Sequence, residues 1–149
     1  AVLVTELMRG IDPLKFQMVL ITGYCAENEA DYLDEVPADI PVTRIPGLGR
    51  SVSLFGDIKS FFILLKLIWK FQPDIIHTHT AKAGVLGRVA GMIASPSAKR
   101  IHTFHGHLLN GYFNQFKVKI IIGIEKFLSQ FTNTLIAVSK DVQKKYSMI

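Results

Sequence analysis

Two rhythms of apolar residues alternate along the chain, short β-branched runs and longer stretches in which apolar side chains recur every three or four positions. Five short runs read as strands: residues 16–22 (FQMVLIT), 41–45 (PVTRI), 74–77 (DIIH), 99–104 (KRIHTF) and 134–138 (TLIAV). Most are almost continuously apolar, as expected of parallel strands covered by helices on both faces. The intervening segments have helical period. In residues 57–71, Phe61, Leu64, Leu65 and Ile68 form one stripe while Lys59, Lys66 and Lys70 fall on another face, and Pro73 ends the helix. Residues 116–131 repeat the device with Ile120, Ile121, Ile124, Phe127, Leu128 and Phe131, and Lys119 and Lys126 lie off the stripe.

A third helix, residues 81–94, carries Gly84, Gly87 and Gly91 along one face. Glycines weaken a helix intrinsically, so a face of them points to close backbone approach by a strand or ligand. Ser139, just before Asp141 and Val142, reads as the N-cap of a last helix. Strand and helix in alternation predict an α/β fold, a mostly parallel sheet with crossover helices on both faces. Residues 1–9 are helix-like, where such a helix ordinarily follows a strand, and the chain stops in or just after another helix. Both ends are therefore expected to be cuts in a longer chain.

Composition sharpens the picture. The chain has 149 residues, one domain's worth, of which 49% are hydrophobic and 19% charged, enough apolar material for a core. A single cysteine, Cys25, allows no internal disulfide and fits a reducing compartment, so a cytoplasmic location is expected. The longest apolar run, residues 61–65, is far short of the roughly 20 residues of a membrane-spanning helix. Charge is uneven: residues 1–39 carry eight acids and two bases, and residues 40–149 carry four acids and fifteen bases. A basic surface of that kind concentrates anionic partners, whether nucleotide phosphates, anionic lipid or nucleic acid, or is simply solvated lysine.

All five histidines lie between positions 77 and 107, in HTHTAKAG (77–84) and IHTFHGH (101–107). Both segments sit where a strand runs into a loop, and ligands of open parallel sheets bind outside the carboxyl ends of the strands. His77 with His79, and His105 with His107, could each pair on one face of an extended strand as metal ligands. Neighbouring threonines and Lys82, with no carboxylate beyond Asp74, argue against a metal. The alternative makes His77 and His102 buried neutral rings held by hydrogen bonds. Thr80 and Lys82 open a helix, where unpaired N–H groups favour an anion, or else Thr80 merely caps it and Lys82 meets water. The GLGRS segment (47–51) lacks the spacing of a phosphate loop, although Arg50 could reach an acidic substrate. Neither Ser139 nor Cys25 has the partners of a hydrolase nucleophile.

The run PDIIHTHTAKAGVLGRVAG (73–91), then IHTFHGHLLNGYF (101–113), then EKFLSQFTNTLIAVS (125–139), resembles the amino-terminal domain of glycosyltransferase family 4 enzymes. The opening residues 1–23 are similar to the first helix and second strand of the same domain. The resemblance implies a GT-B architecture of two Rossmann-like domains facing a cleft, this chain being the acceptor-side one, 1–149. It also implies retaining transfer of a sugar from a nucleotide-sugar donor to a glycan or lipid-linked acceptor, without a metal or other cofactor. By the same resemblance His105 stands in the cleft beside the donor sugar, where a neutral imidazole would orient and stabilise rather than attack. Gly106 would let the backbone approach the sugar, and His79, Thr80 and Lys82 would line the cleft. The first strand with its glycine-rich loop and the whole nucleotide-binding second domain are absent, so the chain alone is expected to be inactive.

Three other readings compete. Basic amphipathic helices with Trp69 beside Lys66 and Lys70, and Phe113 and Phe116 beside Lys117, suit a module that docks peripherally on an anionic membrane surface, with or without catalysis. A metal-dependent hydrolase would use the histidines. Nucleic acid is not an expected partner, because no helix-turn-helix, RNA-recognition or zinc-finger pattern is present.

Overall fold

The computed structural model describes residues 2–25, 29–35, 39–49, 51–106 and 115–147. In chain order the elements are α1 (Val2–Arg9), β1 (Leu20–Thr22), α2 (Tyr32–Glu35), β2 (Val42–Arg44), α3 (Leu54–Phe71), β3 (Ile75–His79), α4 (Ala81–Ala94), β4 (Lys99–Phe104), α5 (Gln115–Ser129), β5 (Thr134–Ala137) and α6 (Lys140–Tyr146). The chain is α/β, and all its described strand pairs are parallel. They form two sheets, β1-β2 and β3-β4-β5. The chain falls into two compact units, Ala1–Ser60 and Phe61–Ile149, with the boundary inside α3.

In the first unit β1 pairs with β2 through Leu20 and Val42 to Thr22 and Arg44. The guanidinium of Arg44 bonds the carboxylates of Asp31 and Asp34 and lies over the Tyr24 ring, 5.5 Å from its centroid. Arg9 at the end of α1 reaches Asp39 at 2.8 Å and Glu6 at 2.6 Å. The glycines of the 47–51 segment are explained by crowding. A Cβ on Gly49 would lie 2.8 Å from the Tyr24 carbonyl oxygen, and Gly47 has φ +88° with Gly56 and Ser60 oxygens 2.7 Å from its would-be Cβ. α3 starts three residues before the apolar stripe predicts. Ser53 accepts from Gly56 N–H at 3.3 Å and Asp57 accepts from Ser53 N–H at 3.3 Å, a reciprocal cap that periodicity alone does not reveal. It ends at Phe71, with Gln72 left-handed (φ 49°) just before Pro73.

The second unit holds the better formed sheet. β3 pairs with β4 in the register Ile75↔Lys99 to His79↔Thr103, and β4 pairs with β5 from Ile101↔Thr134 to Phe104↔Ala137. α4 lies against β3 and β4 through its glycine face. A Cβ on Gly91 would meet Ile76 at 2.6 Å, one on Gly87 would meet Thr78 at 2.9 Å, and one on Gly84 would meet the His102 ring at 2.5 Å. The expected glycine stripe is therefore a helix-to-strand contact. α6 covers the same sheet face further along, where Phe104 stacks on Tyr146 at 4.0 Å and packs with Val142. Ser139 accepts from Val142 N–H at 3.3 Å, so the expected cap forms.

α5 departs from its pattern. Leu128 is buried and Ile121 partly so, but Ile120, Ile124, Phe127 and Phe131 are exposed. The covered side of α5 contains a carboxylate instead. Glu125 is 1% exposed and its Oε2 accepts from Arg88 Nη2 at 2.6 Å, while Arg88 Nε donates to the Gly84 carbonyl at 2.9 Å. This ion pair ties α4 to α5. Removing one partner of such a pair costs about 3–5 kcal/mol, because the other charge is left buried.

Candidate active site

Alternation along a strand decides which side chains meet. His77 and His79 point to one face of β3, and Thr103 on β4 with His105 just beyond it point to the same face; Thr78, His102 and Phe104 take the other. The parallel register sets His79 opposite Thr103, which brings His105 to the diagonal position past the strand end. Three of the five histidines thus gather at the carboxyl ends of two adjacent strands.

Their contacts form a chain. His77 Nε2 is 2.8 Å from the Thr103 hydroxyl. The His77 ring lies on the His79 ring with centroids 4.3 Å apart. His79 Nδ1 is 3.2 Å from His105 Nε2, and their ring centroids are 5.4 Å apart. On the opposite face the Thr78 hydroxyl donates to the Ile101 carbonyl at 3.2 Å and stands 2.9 Å from His102 Nδ1. With its one proton on that carbonyl, the hydroxyl accepts from Nδ1–H of His102. His77 and His102 are thus hydrogen-bonded rings, as the sequence suggests.

These rings stay neutral. Burial, followed by the charge of Arg88, pushes His102 down to about 3. Burial, then the charges of His77 and His105, takes His79 down to about 4. His77 is lowered too, by burial and then by His105. Neutral imidazoles such as those of His77 and His79 can donate and accept hydrogen bonds, but are not themselves fixed positive charges. Among the described residues no three His, Cys, Asp or Glu side chains are grouped so as to hold a metal ion. Of the expected His105–His107 pair, His107 lies outside the described residues.

Thr80 departs from the capping reading. It is exposed, with φ 62° and ψ 163°, and its side chain makes no cap hydrogen bond to α4. That conformation is essentially a glycine region, and a β-branched residue held there stores about 1–3 kcal/mol, a cost that clusters at functional junctions. The strained residue stands directly after His79, at the mouth of the β3–α4 turn, and Lys82 follows within the first turn of α4. Gly106 is buried with φ +82°, and a Cβ there would lie 2.6 Å from Val142. Packing against α6 alone accounts for this glycine, next to whatever approach to a ligand it allows. Arg50 lies outside the described residues. Sequence reading missed Thr103, whose hydroxyl anchors the histidine chain, and the Arg88–Glu125 pair; the second had a signal, a lone carboxylate inside an apolar stripe.

Comparison with known proteins agrees with the motifs. The family model Glycosyltransferase Family 4 matches residues 1–147. The chain is 33% identical over 111 residues to a UDP-Gal:alpha-D-GlcNAc-diphosphoundecaprenol alpha-1,3-galactosyltransferase of Escherichia coli, covering 74% of this chain and 28% of that protein. It is 29% identical over 107 residues to the capsular polysaccharide biosynthesis glycosyltransferase CapM of Staphylococcus aureus, covering 72% and 28%. A putative glycosyltransferase EpsD of Bacillus subtilis (strain 168) matches at 29% over 117 residues, 77% of this chain and 29% of that one. The chain spans between a quarter and a third of the length of these curated relatives. On the family match and the parallel α/β structure together, the chain belongs to glycosyltransferase family 4.

Proposed function

We propose that this chain is the acceptor-side domain of a retaining glycosyltransferase that moves a hexosyl group from a nucleotide-sugar donor to a lipid-linked glycan acceptor in polysaccharide assembly. The observation that carries the reading is the cluster of His77, His79 and His105 at the carboxyl ends of β3 and β4, in a chain of this family. His105 is the group at the reacting centre. During transfer the bond from the anomeric carbon to the nucleotide phosphate breaks with its electron pair going to the phosphate oxygen, a bond to an acceptor hydroxyl oxygen forms, and the hydroxyl proton passes to the departing phosphate as negative charge grows there. An imidazole fixed by its neighbours holds a sugar hydroxyl in place through that change without bonding covalently. Lys82 supplies positive charge at the same strand end, Thr80 and Gly106 shape the backbone beside it, and Arg50 is the remaining candidate for an anionic group. No step needs a metal held by these residues. The lipid-diphosphate acceptor named for the Escherichia coli relative supports a lipid-linked acceptor here.

The test is sugar transfer by the protein as its gene encodes it, with labelled nucleotide sugars and a polyprenyl-diphosphate sugar as acceptor. Labelled product extracted with the lipid is the expected result, and absence of transfer from every donor tried would reject the reading. The 149 residues alone span too little of a transferase to turn over, and measurable transfer by them contradicts this.

A membrane-surface role is favoured by a separate observation. No described helix is long and apolar enough to cross a membrane. α3, however, exposes Phe55, Ile58, Phe62 and Trp69, the last 69% exposed, along one face with Lys59, Lys66 and Lys70 between or beside them. Large apolar groups interleaved with lysines suit the anionic inner surface of the cell membrane, where each lysine contributes about 1 kcal/mol. The lipid-facing element is then α3, whereas Phe113 lies outside the described residues and nothing is described of the Phe116 and Lys117 side chains. Co-sedimentation with anionic vesicles should fall at least about tenfold when Lys59, Lys66 and Lys70 are changed to Glu. Equal binding of the variant, or equal binding to neutral vesicles, counts against it.

A further inference from the structure

His105 stands between two chain neighbours that both rest on α6. Phe104, the last residue of β4, is buried and stacks on Tyr146 with ring centroids 4.0 Å apart and planes 19° from parallel. Gly106 is buried too, and a Cβ placed on it would lie 2.6 Å from Cγ2 of Val142. Val142 and Tyr146 are four residues apart, so they project from one face of α6, a turn from each other. Both are buried and form one cluster with Phe104. The start of α6 is tied to the same segment. Val138 N–H donates to the Phe104 carbonyl at 3.3 Å, and Ser139, the next residue, accepts from Val142 N–H at 3.3 Å. Gly106, with φ +82°, has no side chain to lodge the backbone, so the place of residues 104–106 is set by what they rest on. Strand alternation turns the His105 ring to the opposite face, where its Nε2 stands 3.2 Å from His79 Nδ1.

We infer that Val142 and Tyr146 are positioning residues for His105: α6 seats Phe104 through Tyr146 and Gly106 through Val142, and so sets the backbone from which His105 enters the histidine cluster. The role belongs to the backbone on the far side of the strand and holds whatever else the His105 ring touches. A displacement of residues 104–106 is carried directly to that ring. Misplacing a group at the reacting centre by about 1 Å costs up to about a hundredfold in rate. For this consequence the inference rests on the transferase reading, whereas the placement of His105 by α6 stands without it.

Four forms of the gene-encoded protein test it: wild type, Val142→Ala, Tyr146→Leu and Tyr146→Phe. Val142→Ala removes the methyl groups that meet Gly106 and puts a better helix former into α6, so helix loss is not the expected result. Tyr146→Leu removes the ring against Phe104, and Tyr146→Phe keeps it. The first readout is the nuclear Overhauser contact between the carbon-bound ring protons of His79 and His105, whose ring centroids are 5.4 Å apart. It should be present in wild type and Tyr146→Phe and be weakened or lost in Val142→Ala and Tyr146→Leu. The second readout is transfer. In Val142→Ala and Tyr146→Leu kcat should fall about tenfold to a hundredfold with KM for the donor little changed, and Tyr146→Phe should keep the wild-type kcat. No ring contact in wild type, an intact contact in Val142→Ala and Tyr146→Leu, or a loss confined to KM would overturn the inference. So would wild-type kcat in both of those variants, or Tyr146→Phe as impaired as Tyr146→Leu. Should Tyr146→Leu fail to fold, Val142→Ala decides by the same two readouts. If wild type transfers no sugar, the transferase reading fails while the ring contact still settles whether α6 places His105.

Discussion

At the residue scale, the histidines do two different things on two faces of one strand pair. His102 is 2% exposed and wedged beneath Gly84, with its Nδ1 on the Thr78 hydroxyl; it is part of the packing. His79 is half-buried and meets His105, which lies toward the strand end. Both His102 and His79 bind protons far more weakly in the folded chain, at about 3 and about 4, than the ordinary 6.5 of an exposed ring. The unfolded chain therefore takes up protons first, and stability that is complete above pH 6.5 is lost as pH falls through 6.5 toward those lower values. The carboxylates held low by arginines, Asp31 and Asp39, add to acid lability only below their usual 3.8, so the range between pH 6.5 and 5 isolates the histidines. The urea midpoint should drop between pH 7.5 and pH 5 and change less in His102→Asn; a midpoint flat across that range contradicts the assignment. Nothing in the sequence announces that Thr80 takes a glycine-like conformation, because backbone strain is imposed by the junction rather than encoded by the residue.

At the element scale, four glycines lie in α4 and α5 outside their caps and they are not equivalent. Gly84→Ala drives a methyl group into the His102 ring, which is fixed by its bond to Thr78, and should cost about 1–3 kcal/mol. Gly91→Ala meets only the end of the flexible Ile76 side chain and should cost less. Gly123 on α5 has nothing within 4 Å of its would-be Cβ, so Gly123→Ala should stabilise by up to about 1 kcal/mol. Thermal midpoints of the three variants give the order directly, and a Gly84→Ala protein as stable as Gly123→Ala would rule out the described seat of α4. Strand and helix identities were legible because each apolar run keeps one period. β4 and α4 fall where the pattern puts them, since glycine spacing and β-branching agree locally there. Ends were less legible: of the run 16–22 only Leu20–Thr22 pairs as β1, because pairing depends on where Pro41 and β2 allow it. The three-turn reach of the α5 stripe was legible as apolar, yet which side is covered depends on the Arg88–Glu125 pair, a contact 37 residues apart in sequence.

At the scale of the whole molecule, the basic balance of residues 40–149 is spread over helices that do separate work. α3 shows lysines and aromatic residues together on one exposed face, which suits an anionic membrane, whereas Lys82 stands in the first turn of α4, just after the end of β3. The proposed lipid-linked acceptor would give both features one purpose, since a domain held at the membrane surface would meet its acceptor in two dimensions rather than three. The histidine clustering that marks the candidate site was the clearest signal in the sequence, and parallel register brings its two motifs, far apart along the chain, to adjacent strand ends. Their pairing was not legible, because it depends on the one-residue register between β3 and β4. The most direct test of the account is the transfer rate of the gene-encoded protein carrying His105→Ala, set against wild type with the same nucleotide sugar and lipid-linked acceptor. The account predicts a fall in kcat of at least about a hundredfold with the fold intact by circular dichroism. A variant that transfers sugar at the wild-type rate would contradict it.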